Sequence, residues 1–87
     1  MSNPWEDHQA AVAQFSEAVA ALQEHISMAT EQAEVAMGIA QAAVGRSAME
    51  SASNAVGFMG AVHSYLQDAY GSSNAARAEM ERYGGGF

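Results

Sequence analysis

The sequence has 87 residues, enough for one domain at most and too few to bury a large core. Its net charge of −7 and lack of lysine argue against binding to nucleic acid or to anionic membranes, because both need clustered basic side chains. There is no cysteine, which excludes disulfides, thiolate nucleophiles and cysteine-based zinc sites.

The first half of the chain has the pattern of one long amphipathic helix. Asn3 is a suitable N-cap, Pro4 suits the first helical position, and Glu6 and Asp7 suit the positive end of the helix dipole. Apolar and small residues then alternate at spacings of three and four, as in the a and d positions of a heptad repeat. They are Val12, Phe15, Val19, Leu22, Ile26, Ala29, Ala33, Ala36, Ala40 and Ala43. Three acidic residues seven apart, Glu17, Glu24 and Glu31, form a solvated stripe on the opposite side.

A turn is predicted near residues 45–47. Gly45 is followed by Ser47 and Glu50, which match a capping box in which a serine hydroxyl and a glutamate three residues later satisfy free backbone N–H groups. This sequence is typical of a helix that ends and a second helix that begins at once. Because the turn is short, the two helices must run antiparallel.

The second half repeats the same spacing from Ala48 to Tyr83. Its expected contact residues are Ala48, Ala52, Ala55, Met59, Val62, Leu66, Ala69, Ser73, Ala76, Met80 and Tyr83. The stretch 71–74 weakens the helix and leaves open a kink or a break into a third short helix. Residues 84–87 are expected to form a flexible glycine-rich tail, so that residues 1–83 make one helical hairpin.

The prediction is therefore an all-α antiparallel hairpin of two long helices, completing a four-helix bundle or a larger assembly with another chain. Such a hairpin alone is expected to be marginally stable, because its contact residues are largely alanine. No signal peptide is visible, and the longest apolar stretch is about half of the roughly 20 residues needed to span a bilayer.

Large apolar residues flank the predicted contact residues near the turn, where the only charges between Val35 and Leu66 are Arg46 and Glu50. More apolar surface lies there than one partner helix can cover, which favours an interface with another chain. The alternative is ordinary core in a chain that bends into three or four helices. The predicted interface residues are Met37, Ile39, Met49, Val56, Phe58 and Tyr65.

Three glycines, Gly38, Gly57 and Gly60, are expected to point away from the contact between the two helices. Each costs helix stability of about 0.5–1 kcal/mol relative to alanine. Either they let another chain approach closely, or they are tolerated weak points of the helix.

Catalysis has little support in the sequence, which has no phosphate-binding loop, nucleophile motif or zinc-protease signature. His25 and His63 lie at similar heights in a hairpin but on opposite flanks, so a metal site would need a second chain. We therefore predict no catalytic residues, no metal and no cofactor.

The chain resembles the WXG-type proteins, small acidic helical hairpins that are substrates of type VII (ESX) secretion. The family's Trp-x-Gly turn would fall at Val44-Gly45-Arg46, where the tryptophan is absent and the glycine comes one position early. The family's export signal, a tyrosine with an acidic residue four positions later, is not met at Tyr65, Tyr70 or Tyr83.

The resemblance implies a non-enzymatic protein that forms a four-helix dimer, with itself or with a paralogous hairpin. It also implies secretion without a cleaved signal peptide; otherwise the protein is expected in the cytoplasm. The alternative function is that of a structural subunit that polymerises into a filament, needle or other helical assembly.

Overall fold

The computed structural model describes residues 4–44 and 49–85 and places all of them in two helices. Helix α1 is Pro4–Val44 and helix α2 is Met49–Gly85. The two pack along their length as a hairpin, which confirms the predicted all-α class and the predicted start of α1 at Pro4. The predicted turn residues Gly45 and Ser47 lie outside the described residues, and Glu50 lies exposed in the first turn of α2.

Helix α2 is continuous through the stretch where the sequence left a break open. The Ser73 hydroxyl donates a hydrogen bond of 2.6 Å to the carbonyl oxygen of Tyr70, so its polar group is satisfied within the helix. Helix α2 also runs past its predicted end at Tyr83, through Gly84 to Gly85. Gly84 lies so close to α1 that an added Cβ would come within 2.9 Å of a methyl group of Val12. Gly84 is thus helical and close to α1, where composition predicted a flexible tail; residues 86–87 of that predicted tail lie outside the described residues.

The hairpin is long and thin and has little interior. It measures 67 × 17 × 13 Å with a radius of gyration of 19.6 Å, whereas a compact domain of this length has about 12 Å. It exposes 6116 Å², whereas a compact monomer of 9.1 kDa exposes about 4900 Å². Neither helix contains, within the described residues, a stretch long and apolar enough to cross a membrane.

The faces in contact differ from the predicted heptad positions. Val19, Ile26 and Ala33 are buried as predicted, but Leu22 is 49% exposed and the next residue, Gln23, is buried in its place. In α2, Ser73 is buried as predicted, whereas Val62, Ala69 and Ala76 are exposed. Both helices are therefore rotated so that positions a and e point inward. Most d positions of α2 are exposed, whereas in α1 Leu22 and Ala43 are exposed and Phe15, Ala29 and Ala36 stay half-buried at d.

Hydrogen bonds between polar side chains of the two helices accompany this rotation. Gln23 occupies an e position of α1, and turning it inward lets its side-chain amide bond to α2 at two points. His63 occupies an e position of α2 and reaches Glu34 of α1. Polar side chains that are half-buried without partners would lose the hydrogen bonds that they make to water. The rotation satisfies these groups at the cost of exposing Leu22 and Val62.

Candidate interaction surface

A hydrogen-bonded bridge fixes the register of the hairpin near its middle. The Gln23 side-chain nitrogen Nε2 donates to the hydroxyl oxygen of Ser73 at 2.9 Å and to Oδ1 of Asn74 at 2.7 Å. Gln23 and Ser73 are both buried. A shift of one residue would leave the buried amide of Gln23 without these partners, whereas Ser73 would keep its bond to Tyr70. The bridge therefore favours one alignment of the two helices.

A second polar pair lies on the same side of the hairpin, nearer to the turn. A ring nitrogen of His63, Nε2, lies 3.1 Å from Oε1 of Glu34. The carboxylate of Glu34 is largely exposed, so this pair contributes little to stability. We call the side of the hairpin that carries Gln23, Asn74, Glu34 and His63 the polar face.

Aromatic side chains hold the free ends of the two helices together. His8 is buried, its ring centroid lies 3.9 Å from that of Tyr83, and its Nε2 lies 2.7 Å from the Tyr83 carbonyl oxygen. The last carbonyls of a helix lack partners within the helix, and a donated hydrogen bond satisfies one of them. Trp5 stacks on His8 from the first turn of α1, with ring centroids 6.2 Å apart. These contacts hold the start of α1 against the end of α2.

The opposite side of the hairpin carries large exposed apolar side chains. In an antiparallel pair, the same heptad letter lies on the same side of both helices. Gln23 and His63, both at e positions, accordingly lie together on the polar face. Positions d and g of both helices therefore share the side away from the polar face. Apart from Tyr83 at the free ends, the large apolar residues exposed at these positions are Leu22 and Ile39 of α1, and Phe58, Val62 and Tyr65 of α2. We call this side, defined by those five residues, the apolar face.

The apolar face is concentrated near the turn. Phe58 is 74% exposed, Tyr65 is 72% exposed and Ile39 is 67% exposed. The register set by Glu34 and His63 brings Ile39 and Phe58 to nearly the same height along the hairpin. Only Leu22 lies apart, toward the middle of the hairpin.

The apolar face carries almost no charge. Among the described residues at the d and g positions of both helices, Glu79 near the free end of α2 is the single acidic or basic residue, histidines aside. The other acidic residues lie on the polar face or on the outer sides of the helices. Burying the apolar face against another protein would therefore desolvate very little charge.

The structure divides the six predicted interface residues into three groups. Ile39, Phe58 and Tyr65 lie on the apolar face, exposed. Met37 and Val56 lie at e positions and are half-buried between the two helices, because of the rotation described above. Met49 is in the first turn of α2, but its side chain lies outside the described part of the structure.

The three predicted outward glycines do point away from the contact between the helices. A Cβ added at Gly38, Gly57 or Gly60 would meet no atom of the described residues within 4 Å. Their lack of a side chain therefore serves no close approach within the hairpin. Whether another chain approaches them stays a prediction.

Neither the histidines nor the acidic residues come together in a reactive arrangement. His25 is exposed away from the polar face, and His63 lies on it, as their heptad flanks predict. Among residues 4–44 and 49–85, no group of three or more histidine, aspartate and glutamate side chains is placed to hold a metal ion.

Two features of this surface were missed from sequence. The polar bridge had no clear signal in the sequence, because Ser73 lies four residues, about one helical turn, farther from the predicted turn than Gln23 does. The exposure of Leu22 and Val62 had no signal of its own, because leucine and valine at d positions are normally read as core. It follows only from the inward position of the polar residues.

Comparison with known proteins provides no further assignment. No protein-family model, no curated protein and no solved structure matches this chain.

Proposed function

We propose that this protein is a non-enzymatic helical interaction subunit that associates through its apolar face. The single observation that supports this most is the group of exposed apolar side chains on that face, Ile39, Phe58, Val62 and Tyr65, in a region almost without charge. An exposed apolar cluster of this kind on a small protein usually marks a surface that another protein covers.

The area that the hairpin exposes supports the same proposal. The chain exposes about 1200 Å² more than a compact monomer of its mass. A stable protein–protein interface buries about 800 Å² on each partner, so an interface of ordinary size would remove most of this excess. Packing a second hairpin on the apolar face would give the four-helix arrangement implied by the resemblance to the WXG-type proteins of type VII (ESX) secretion. Export by that route is part of the proposal and rests on the resemblance alone.

A filament or other helical polymer is the second candidate. The observation that favours it is that Met28 and Val35 are exposed on a different side of α1 from the apolar face. A subunit with two separate association surfaces can add further copies without closing into a dimer. The two candidates predict different masses in solution.

Replacing Phe58 by alanine tests the proposal. The ring is exposed in the hairpin, so helix content and melting of the monomer should hardly change. At an interface, loss of this aromatic side chain should weaken association by about 2 kcal/mol or more. Sedimentation equilibrium over a range of concentrations measures the association, and circular dichroism measures the fold.

Val35→Ala is the matched control, because Val35 is also exposed but lies off the apolar face. It should leave association through the apolar face unchanged, whereas a filament that also uses Val35 should be weakened by it. A discrete dimer that Phe58→Ala weakens supports the hairpin dimer, and long polymers support the filament. A wild-type chain that stays monomeric at all concentrations would contradict self-association through this face.

A further inference from the structure

Helix α1 has a second, uncharged stripe on the side that faces away from α2. Its residues occupy the g and c positions and repeat at spacings of four and three, as in a heptad contact surface. We call it the outer stripe, and it consists of Ala18, Ala21, His25, Met28, Gln32, Val35, Ile39 and Ala42. All eight residues are exposed, and Met28 and Val35 are 59% and 57% exposed.

The outer stripe has the dimensions of a site for one helix. From Ala18 to Ala42 it extends about 36 Å along α1 without an aspartate, glutamate, lysine or arginine. Ile39 lies on its edge toward the apolar face, whereas Met28 and Val35 belong to the outer stripe alone. The two surfaces can therefore be tested separately.

Evenly spaced acidic residues line one edge of the outer stripe. Glu17, Glu24 and Glu31 are seven residues apart and all exposed. Glu31 lies three residues after Met28 and four before Val35, which makes it a neighbour of both on the helix surface. A helix packed on the stripe would therefore pass directly beside these carboxylates.

A second copy of α1 does not fit that border. An antiparallel copy of α1 would place its own three glutamates along the same border, where like charges repel. A parallel copy would set the glutamates against the positions of Leu22, Ala29 and Ala36, and so bury carboxylates against apolar groups. Helix α2 offers no complement either, since its two arginines are five residues apart and Arg82 is already paired with Glu79.

We propose that the outer stripe of α1 binds a basic amphipathic helix of a different protein. The partner helix has small and aliphatic residues along its contact side and lysine or arginine at seven-residue spacing on one flank. Its apolar side covers Met28 and Val35, and its basic flank pairs with Glu17, Glu24 and Glu31. This partner is distinct from the one that covers the apolar face.

A synthetic helix of about four heptads, with leucine and alanine on its contact side and lysine on one flank, is a suitable probe. The control probe has glutamate in place of lysine. Fluorescence anisotropy of the labelled peptides, titrated with the full chain, measures binding. We expect binding of the lysine helix that weakens as salt is raised, and no binding of the glutamate helix. Equal binding of the two peptides would overturn the proposal.

Two matched triple variants separate the acidic border from general charge attraction. Glu17→Gln, Glu24→Gln and Glu31→Gln together should weaken binding of the lysine helix by about five- to tenfold, as three exposed ion pairs allow. Glu50→Gln, Asp68→Asn and Glu81→Gln change the net charge equally, at exposed positions of α2. This second set should weaken binding by less than about twofold. Equal losses would show unspecific attraction and overturn the proposal.

A double variant tests the apolar part of the stripe. Met28→Ser with Val35→Ser should weaken binding of the lysine helix about tenfold or more, because it removes most of the buried apolar area. Phe58→Ala, on the apolar face, should leave this binding unchanged even though it weakens self-association. If the double variant instead abolished self-association, or if the chain bound lipid vesicles through these residues, the stripe would have another occupant and the proposal would fail.

Discussion

The two ends of the hairpin are built from similar helices but differ in how completely they are packed. Every buried residue among those described lies in residues 4–33 or 64–85, which we call the closed half; these residues are His8, Val19, Gln23, Ile26, Ala33 and Ser73. In the turn half, residues 34–44 and 50–63, none of the described residues is buried. Phe58 and Ile39, which are 74% and 67% exposed, are there as well, and Tyr65 lies two residues beyond its boundary.

This difference indicates that one part of the hairpin stabilises the fold while the other part is available to bind a partner. In the closed half, paired polar groups and aromatic contacts fix the register and hold the ends. In the turn half, the helices are joined covalently and need fewer contacts to remain together. Apolar side chains there can face outward, available to a partner, without loss of the fold. The closed half should therefore govern unfolding, and the turn half should govern binding.

The largest expected loss of stability comes from placing a charged side chain in the closed half. Ile26→Asp should unfold the hairpin, because it buries a carboxylate without a partner at a site that is 7% exposed. Leu22→Asp is the control one turn away, at a site that is 49% exposed. It should leave a folded chain with nearly normal helix content by circular dichroism. Equal unfolding by the two variants would show that the d positions are buried after all and that the helices are not rotated.

An intermediate effect is expected from the polar bridge. Gln23→Ala removes two hydrogen bonds to α2, while Ser73 keeps its bond to Tyr70. The free energy of unfolding should fall by about 1–2 kcal/mol. Gln14→Ala, at an exposed position of the same helix, should change it by less than about 0.5 kcal/mol. Urea titration followed by circular dichroism gives both values, and similar losses would mean that the bridge does not stabilise the closed half.

The smallest effect, and the one that compares the two halves most directly, comes from glycine substitutions. Gly71→Ala and Gly57→Ala both place a methyl group in open space, so each should stabilise the hairpin by about 0.5–1 kcal/mol. In the closed half, Gly71→Ala should raise the melting temperature and leave association unchanged.

In the turn half, Gly57→Ala should raise the melting temperature by a similar amount but weaken association, if a second chain approaches the backbone there. Melting curves and sedimentation equilibrium of the two variants make this comparison. An unchanged association for Gly57→Ala would mean that this glycine is only a tolerated weak point of the helix.

The sequence by itself determined the helices. Alanine, the single proline at the start of the first helix, the absence of charge from the repeating apolar positions and the glycine near the middle were enough to predict two long helices and a hairpin. Those signals are local, because helix propensity and heptad spacing depend on residues a few positions apart. The exposure of Phe58, Tyr65 and Ile39 was also visible from the same spacing.

Only the tertiary structure decided how the two helices are rotated against each other. Heptad spacing favoured Leu22 and Val62 as core, but in the structure Gln23 bonds to Ser73, His63 lies within bonding distance of Glu34, and Leu22 and Val62 are exposed. The same rotation half-buries Met37 and Val56, which the sequence had assigned to the interface. Each of these bonds joins residues far apart in the chain, so their effect depends on the register of two helices and cannot be read from either helix alone.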